Sequence, residues 1–269
     1  MTTDELLARH RAVMPSWMPL YYAEPIEIVS GSGRRVTDAE GRSYLDFFGG
    51  VLTNMLGYDV AEVREAVQRQ LGTGVVHTST LYLIRQQVEL AEKIAALSGI
   101  PDARVFFTNS GTEANELALL VATNHRRSNQ ILAVRNSYHG RSYAAMGITG
   151  HRSWSASSLN PLQVSWLHSA DRLRGLLARL GPDEYVDAAV DDLREVLATQ
   201  TSGDVACLIA EPIQGWAASW PRRTDSSERS RRYSTSPASC SSRTRCRPAG
   251  GVPGSISGAT RRTASPRTC

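Results

Sequence analysis

The sequence predicts an α/β protein, a mostly parallel sheet with helices on both faces. Three observations carry this. Short apolar runs alternate along the chain with stretches of helical periodicity, as a layered sheet-and-helix architecture requires. Glycine and Asn-Ser-Gly breaks separate the two kinds of segment. And 269 residues at 41% hydrophobic hold enough apolar material for a real core.

Arg35–Asp46 (RVTDAEGRSYLD) reads as a hairpin turning at Asp38–Gly41. Val60, Val63, Val67 and Leu71 recur at helical spacing, as do Leu90, Ile94 and Leu97, with Gly72 and Gly74 as the break between them. Arg104–Thr108 (RVFFT) reads as a strand. The helix Ala114–His125 follows and ends in His125, Arg126 and Arg127, the charge a helix C-terminus prefers. Gln130–Arg135, Pro161–Leu167 and Val205–Ala210 read as buried strands, and Leu173–Leu180 and Val190–Leu197 as helices. There is no internal repeat.

Charge divides the chain. The segment 216–269 holds 11 Arg against Asp225 and Glu228, a net +9, which leaves −5 for the first 215 residues. Twelve of its residues are Ser, and Val252 and Ile256 are its only members of the Leu, Ile, Val, Met and Phe set. So little apolar surface cannot offset the entropy of ordering a backbone. The expected organisation is an N-terminal segment with the hairpin (1–50), a partial large domain (51–215) and a disordered Arg/Ser-rich tail (216–269). No apolar run is long enough to cross a bilayer. Met1–Ala12 is acidic, then basic, with no apolar signal region, so the expected compartment is cytoplasmic.

Ligands on open parallel sheets sit at the carboxyl ends of strands, often against helix N-termini. Thr108-Asn109-Ser110-Gly111-Thr112-Glu113-Ala114-Asn115-Glu116 fits such a place, as a strand, a tight turn and a helix start. Gly111 lets a backbone approach a ligand, Ser110 and Thr112 add hydroxyls, and first-turn amides complete a phosphate cradle. The same residues read equally as a capping box, Ser110-x-x-Glu113, and from this motif alone capping is the plainer explanation. Two further motifs also follow strands: Arg135-Asn136-Ser137-Tyr138-His139-Gly140, and Glu211-Pro212-Ile213-Gln214-Gly215.

Together NSGTEANELA, RNSYHG and EPIQG resemble the class III (ω-transaminase-like) pyridoxal-phosphate-dependent aminotransferases. Within them the resemblance is greatest to the alanine–glyoxylate aminotransferase 2 branch, with ornithine and 4-aminobutyrate transaminases as relatives. Gly41-Arg42-Ser43-Tyr44-Leu45-Asp46-Phe47 matches the family's usual entry to its large domain, and the likeness covers about residues 15–215. It implies an incomplete fold-type I transferase large domain and pyridoxal 5'-phosphate as cofactor. It also implies an amino donor and a keto-acid acceptor as substrates, and a homodimer. Carried over, Gly111 and Thr112 bind the cofactor phosphate, with Ser110 supporting the turn. Tyr138 stacks on the pyridine ring, His139 and Gly140 shape the turn beside it, and Glu211 lies near the ring and substrate pocket. Where the family has Gly-His-x-His-Pro, this chain has Gly57-Tyr58-Asp59-Val60-Ala61.

Two family groups are missing. A transaminase needs a lysine to hold the cofactor as a Schiff base, and an acidic partner for the pyridine nitrogen. In the family both follow EPIQG, the Asp in an Asp-Glu-Val segment. Here the only lysine is Lys93, on the polar face of an amphipathic stretch, so no catalytic residue is assigned and cofactor binding is expected to be weak and non-covalent. Family-like sequence stops at Gly215, and 29 Arg to one Lys points to a GC-rich gene. The expectation is a frameshift just after the Gly215 codon, leaving an inactive N-terminal portion.

Two alternatives stand beside it. The tail could bind nucleic acid or acidic surfaces, but it has only Trp216, Trp220 and Tyr233 for stacking and no recognisable module, so no specific nucleic-acid partner is expected. Or the chain could be a regulatory partial subunit of an intact paralogue. No metal site is expected: His77, His125, His151 and His168 lack ligand spacing, and Cys240 and Cys246 have no second pair. Cys207, in an apolar strand, reads as a small buried hydrophobe.

Overall fold

A computed structural model describes residues 2–16, 20, 22, 24–151, 154–155, 160–169, 175–181 and 184–212, and the backbone of 240–241. Contacts cluster into two units, one spanning Met1–Leu83 and the other beginning at Ile84. The expected division at residue 50 falls inside the first unit. The expected tail lies outside the described residues except at 240–241. Among the described residues no helix is long and apolar enough to cross a membrane.

The first unit opens with helix α1 (Thr3–Val13), which the sequence reading passed over. Its signal was Thr2-x-x-Glu5: Thr2 Oγ1 accepts from the Glu5 amide at 3.2 Å, and Glu5 returns the bond to the Thr2 amide at 3.0 Å. Strands β1 (Ile28–Ser32), β2 (Arg35–Asp38) and β3 (Ser43–Leu45) form an antiparallel meander. The hairpin turns at Asp38–Gly41 as expected, with Gly41 at φ +81° and Val36 opposite Tyr44. Asp38 organises the turn. Its buried carboxylate accepts from the Arg42 amide and Nε, both at 2.8 Å, and from the Tyr44 hydroxyl at 2.7 Å. Burial alone would raise its pKa, but the bonds from Tyr44 and Arg42 outweigh that and hold it below the usual carboxylate range.

A short turn, α2 (Gly49–Leu52), leads to helix α3 (Ala61–Gly72). Where the sequence departs from the family pattern, Tyr58 ties the chain to the hairpin. Its amide and carbonyl pair with Gly33 at 2.8 and 3.0 Å, and its hydroxyl donates to Asp46 at 2.6 Å. The apolar stripe of α3 stays open, with Val63 52%, Val67 52% and Leu71 57% exposed.

The second unit carries the parallel sheet. Helix α4 (Arg85–Ser98) comes first, with Lys93 exposed on it. Next come helix α5 (Gly111–Arg126), strand β4 (Gln130–Val134), the short helix α6 (Tyr143–Gly147), strand β5 (Gln163–Leu167), helix α7 (Glu184–Thr199), strand β6 (Cys207–Ile209) and strand β7 (Cys240–Ser241). Strand order is β5-β4-β6-β7, with every neighbour parallel.

Strand β4 is buried along its whole length, as a strand covered on both faces must be. Ile131 and Ala133 join Leu119 and Ala122 of α5, with Cys207 and Ile209, in one core layer. Leu132 and Val134 point the other way and pack with Leu193 and Val196 of α7. That alternation is the period-two geometry of a strand between two helical layers. Cys207 is buried in the apolar strand, as expected.

Two expectations fail. Arg104–Thr108 pairs with nothing: it forms no strand, and Phe106 is 63% exposed. A strand exists only with a ladder partner for its amides and carbonyls, and none runs beside it among the described residues. The expected helix Leu173–Leu180 is, in its described part, a single 3-10 turn at Leu176–Arg179. Gly175, at φ +98°, ends any helical path there.

Candidate cofactor site

The first motif opens a helix against the parallel sheet, and the second and the described start of the third (Glu211-Pro212) follow strands at the sheet's carboxyl edge. Ser110 is the N-cap of α5, and its Oγ accepts from the Glu113 amide at 3.2 Å. Glu113 reaches back to the Asn109 amide at 2.7 Å. The capping reading is realised in its Ser110 half, with Glu113 reaching one residue before the cap, and it leaves the amides of Gly111 and Thr112 without a hydrogen bond among the described residues. Both residues are half-buried, so these donors open on an accessible cradle at the positive end of a sixteen-residue helix.

The second motif closes on the first. Gly140 adopts φ +135°, and a Cβ placed there would lie 2.5 Å from Thr112 Oγ1. Only glycine lets the turn after β4 come this close to the start of α5. Asn115 fixes the approach, donating from Nδ2 to the His139 carbonyl at 2.6 Å, and the His139 amide donates to Thr149 Oγ1 at 3.1 Å. Glu116, one residue on, accepts from the Ser142 hydroxyl and from the amides of Ala144 and Ala145 at 3.2 and 3.3 Å, capping α6. The third motif joins through Glu211 after β6, whose Oε1 accepts from the Tyr138 amide at 2.6 Å.

Ser110, Gly111, Thr112, Tyr138, His139, Gly140 and Glu211 thus lie along one line of contacts, Thr112 to Gly140 and Tyr138 to Glu211. The Tyr138 ring is half-buried and packs edge-on against Trp154, centroids 5.5 Å apart and planes at 66°. Thr149 and Trp154 are the residues that sequence reasoning missed, while Asn115 and Glu116 stood inside the first motif without a role. For Asn115 a signal existed: it is a polar residue among Ala114, Ala118, Leu119 and Ala122 on the buried face of α5. The position of Trp154 had no sequence signal, because it depends on a distant segment folding back.

His139 is 3% exposed, and its Nε2, like Asn115 Oδ1, has no hydrogen-bond partner among the described residues. Burial pushes its imidazole down to about 4. The unfolded ring takes a proton near pH 6.5 while the folded one stays neutral. Stability is therefore full above pH 6.5 and falls as the pH drops toward 4, by up to ~3 kcal/mol. In a soluble fusion, hydrogen-exchange protection of strand β4 is expected to fall less between pH 7 and pH 4 in His139→Asn than in the parent. Parallel pH profiles would show that the ring is not buried as described.

Residues 21–225 match the family model described as aminotransferase class-III. Over 216 residues the chain is 35% identical to the mitochondrial alanine–glyoxylate aminotransferase 2 homolog 2 of Arabidopsis thaliana, covering 80% of this chain and 43% of that protein. Over 215 residues it is 41% identical to the acetylornithine aminotransferase of Mycobacterium bovis, covering 80% and 47%. The (S)-enantioselective omega-transaminase from Thermomicrobium roseum superposes with a TM-score of 0.73 at 28% identity, covering 87% of this chain and 55% of that one. The chain spans a little under half the length of these curated relatives. The family match reaches ten residues beyond Gly215, and it takes in all three site motifs in order. The chain belongs to the class III aminotransferase family.

Proposed function

We propose that residues 84–212 are the phosphate- and ring-holding half of a pyridoxal-phosphate-dependent site. In that site an amino group passes between an amino acid or ω-amino acid and a 2-oxo acid. When bound, the cofactor supplies an electron sink at the substrate carbon. The chain's own residues supply the rest: the amides of Gly111 and Thr112 and the Thr112 hydroxyl meet the phosphate, and the Tyr138 ring sets the plane of the pyridine. Glu211 holds Tyr138 in place through its amide. The single observation behind this reading is the close approach of Gly140 to Thr112, which builds a cradle at the N-terminus of α5 from two motifs 28 residues apart.

The 269-residue chain has no amine for the cofactor after Lys93, which is exposed on α4. We therefore take it as inactive alone, with an interrupted reading frame after Gly215 and a family dimer as its assembled form. The test is equilibrium dialysis of pyridoxal phosphate against the chain carried as a soluble fusion. Weak binding, reversed by inorganic phosphate and removed by Gly140→Val, is expected, since the valine displaces Thr112. Binding indifferent to both phosphate and Gly140→Val would overturn the assignment of the cradle.

A further inference from the structure

Strand β7 sits where a polar sequence does not belong. Its backbone runs parallel to β6, with Cys207 opposite Cys240 and Leu208 opposite Ser241. A parallel strand covered on both faces takes a continuous apolar run. Ser239-Cys240-Ser241-Ser242 does not supply one.

Another reading frame does. Let each new codon be the third base of one residue's codon followed by the first two bases of the next. The residues then fix two bases of every new codon. With the serines read from TCN codons, the junctions from Ala238 to Ser242 yield four successive residues, each drawn from Ile, Val, Leu, Phe and Met. One codon later, the segment Arg243-Thr244-Arg245-Cys246-Arg247-Pro248-Ala249 admits Asp-Glu-Val-Gln-Thr-Gly. Asp needs a following codon that begins AC or AT, which Thr244 provides. Glu and Gln each need one beginning AA or AG, which Arg245 and Arg247 provide through AGA or AGG. Val needs T, from Cys246; Thr needs C, from Pro248; Gly needs G, from Ala249. Within 216–269 this frame admits Asp-Glu-Val nowhere else, and the remaining frame admits it nowhere.

The frame also joins the family-like sequence cleanly. Its first codon takes the last base of the Gly215 codon and the TG of Trp216, giving Val, Leu or Met. The next is fixed as GGC, Gly, because tryptophan has the single codon TGG. One missing base in the Gly215 codon accounts for the whole change.

We propose that the uninterrupted gene reads one base out of register from codon 215, and that this frame encodes the strand lying beside β6, with an Asp-Glu pair at its carboxyl end. Strand β7 ends at Ser241 opposite Leu208, three residues before Glu211, so a strand continued in that register leads to the edge where the site motifs gather. The Asp-Glu pair is placed in a site by the class III reading; the frame and the strand stand apart from it.

The nucleotide sequence of codons 210–250, read from genomic DNA and from transcript, tests the frame. The expected codons are ACG for Thr244, AGG for Arg245, TGC for Cys246 and AGA for Arg247, with the Arg243 codon ending in G. A CGN codon at Arg245 or Arg247 overturns the proposal, because Glu or Gln is then impossible at that junction. Restoring one base to codon 215 is expected to move the product from the pellet to the soluble fraction with a cooperative melt. A restored product as insoluble as the 269-residue chain overturns the strand assignment. A soluble restored protein that fails to transaminate overturns the proposed function and leaves frame and strand standing.

Discussion

Produced alone, the 269-residue chain is expected to collect in the insoluble fraction or on chaperones. The physical cause is apolar surface without a cover. Leu83 is 97% exposed, Leu97 82% and Phe106 63%, and the α3 stripe of Val63, Val67 and Leu71 faces outward along its length. Exposed apolar side chains in such number on each unit are a route to association. The RVFFT segment adds an apolar stretch whose amides and carbonyls have no ladder among the described residues, a template for pairing with another chain. Fractionation of lysate, followed by light scattering and a thermal melt of whatever remains soluble, checks this. A soluble monomer that melts in one cooperative transition would sink it.

How much was legible in the sequence follows from what each feature depends on. Strands β4, β5 and β6 and helices α5 and α7 were readable because periodicity and burial coincide there, whereas α3 and α4, which bury no residue, were readable from periodicity alone. Gln130–Val134 is apolar enough to be covered twice, and Val190, Leu193 and Val196 repeat at helical spacing. Arg104–Thr108 reads as a strand by the same criteria and is not one, because a strand needs a partner and residue composition does not say whether the partner is present. Leu173–Leu180 failed at Gly175, whose backbone conformation outweighs the leucine spacing. The site divides the same way. Ser110, Gly111, Thr112, Tyr138, His139, Gly140 and Glu211 stand in recognisable strings. The bond from Glu211 to the Tyr138 amide spans 73 residues and appears only when β4 and β6 pair.

The largest expected effect is on chemistry, and it follows from one side chain type. The 269-residue chain, purified with pyridoxal phosphate in excess, is expected to transaminate no faster than the cofactor free in solution. A primary amine within reach of the cofactor is needed to hold it covalently and to carry the proton at the substrate carbon. Lys93 is the chain's only lysine. It lies exposed on α4, outside the line of contacts that joins Thr112, Gly140, Tyr138 and Glu211. In the proposed site the cradle and the Tyr138 ring would meet the cofactor without a covalent bond, which would give affinity and not turnover. Borohydride treatment followed by dialysis and peptide mapping is expected to leave no stoichiometric label, with Lys93 marked only as any surface amine is. Lys93→Arg is expected to change neither cofactor affinity nor the background rate. Stoichiometric label at Lys93, or turnover lost in Lys93→Arg, would mean that α4 delivers its amine to the site. Turnover that persists in Lys93→Arg but tracks a co-purifying second protein would place the amine on a partner subunit. With neither result, the proposed half-site has no amine of its own to carry the proton at the substrate carbon.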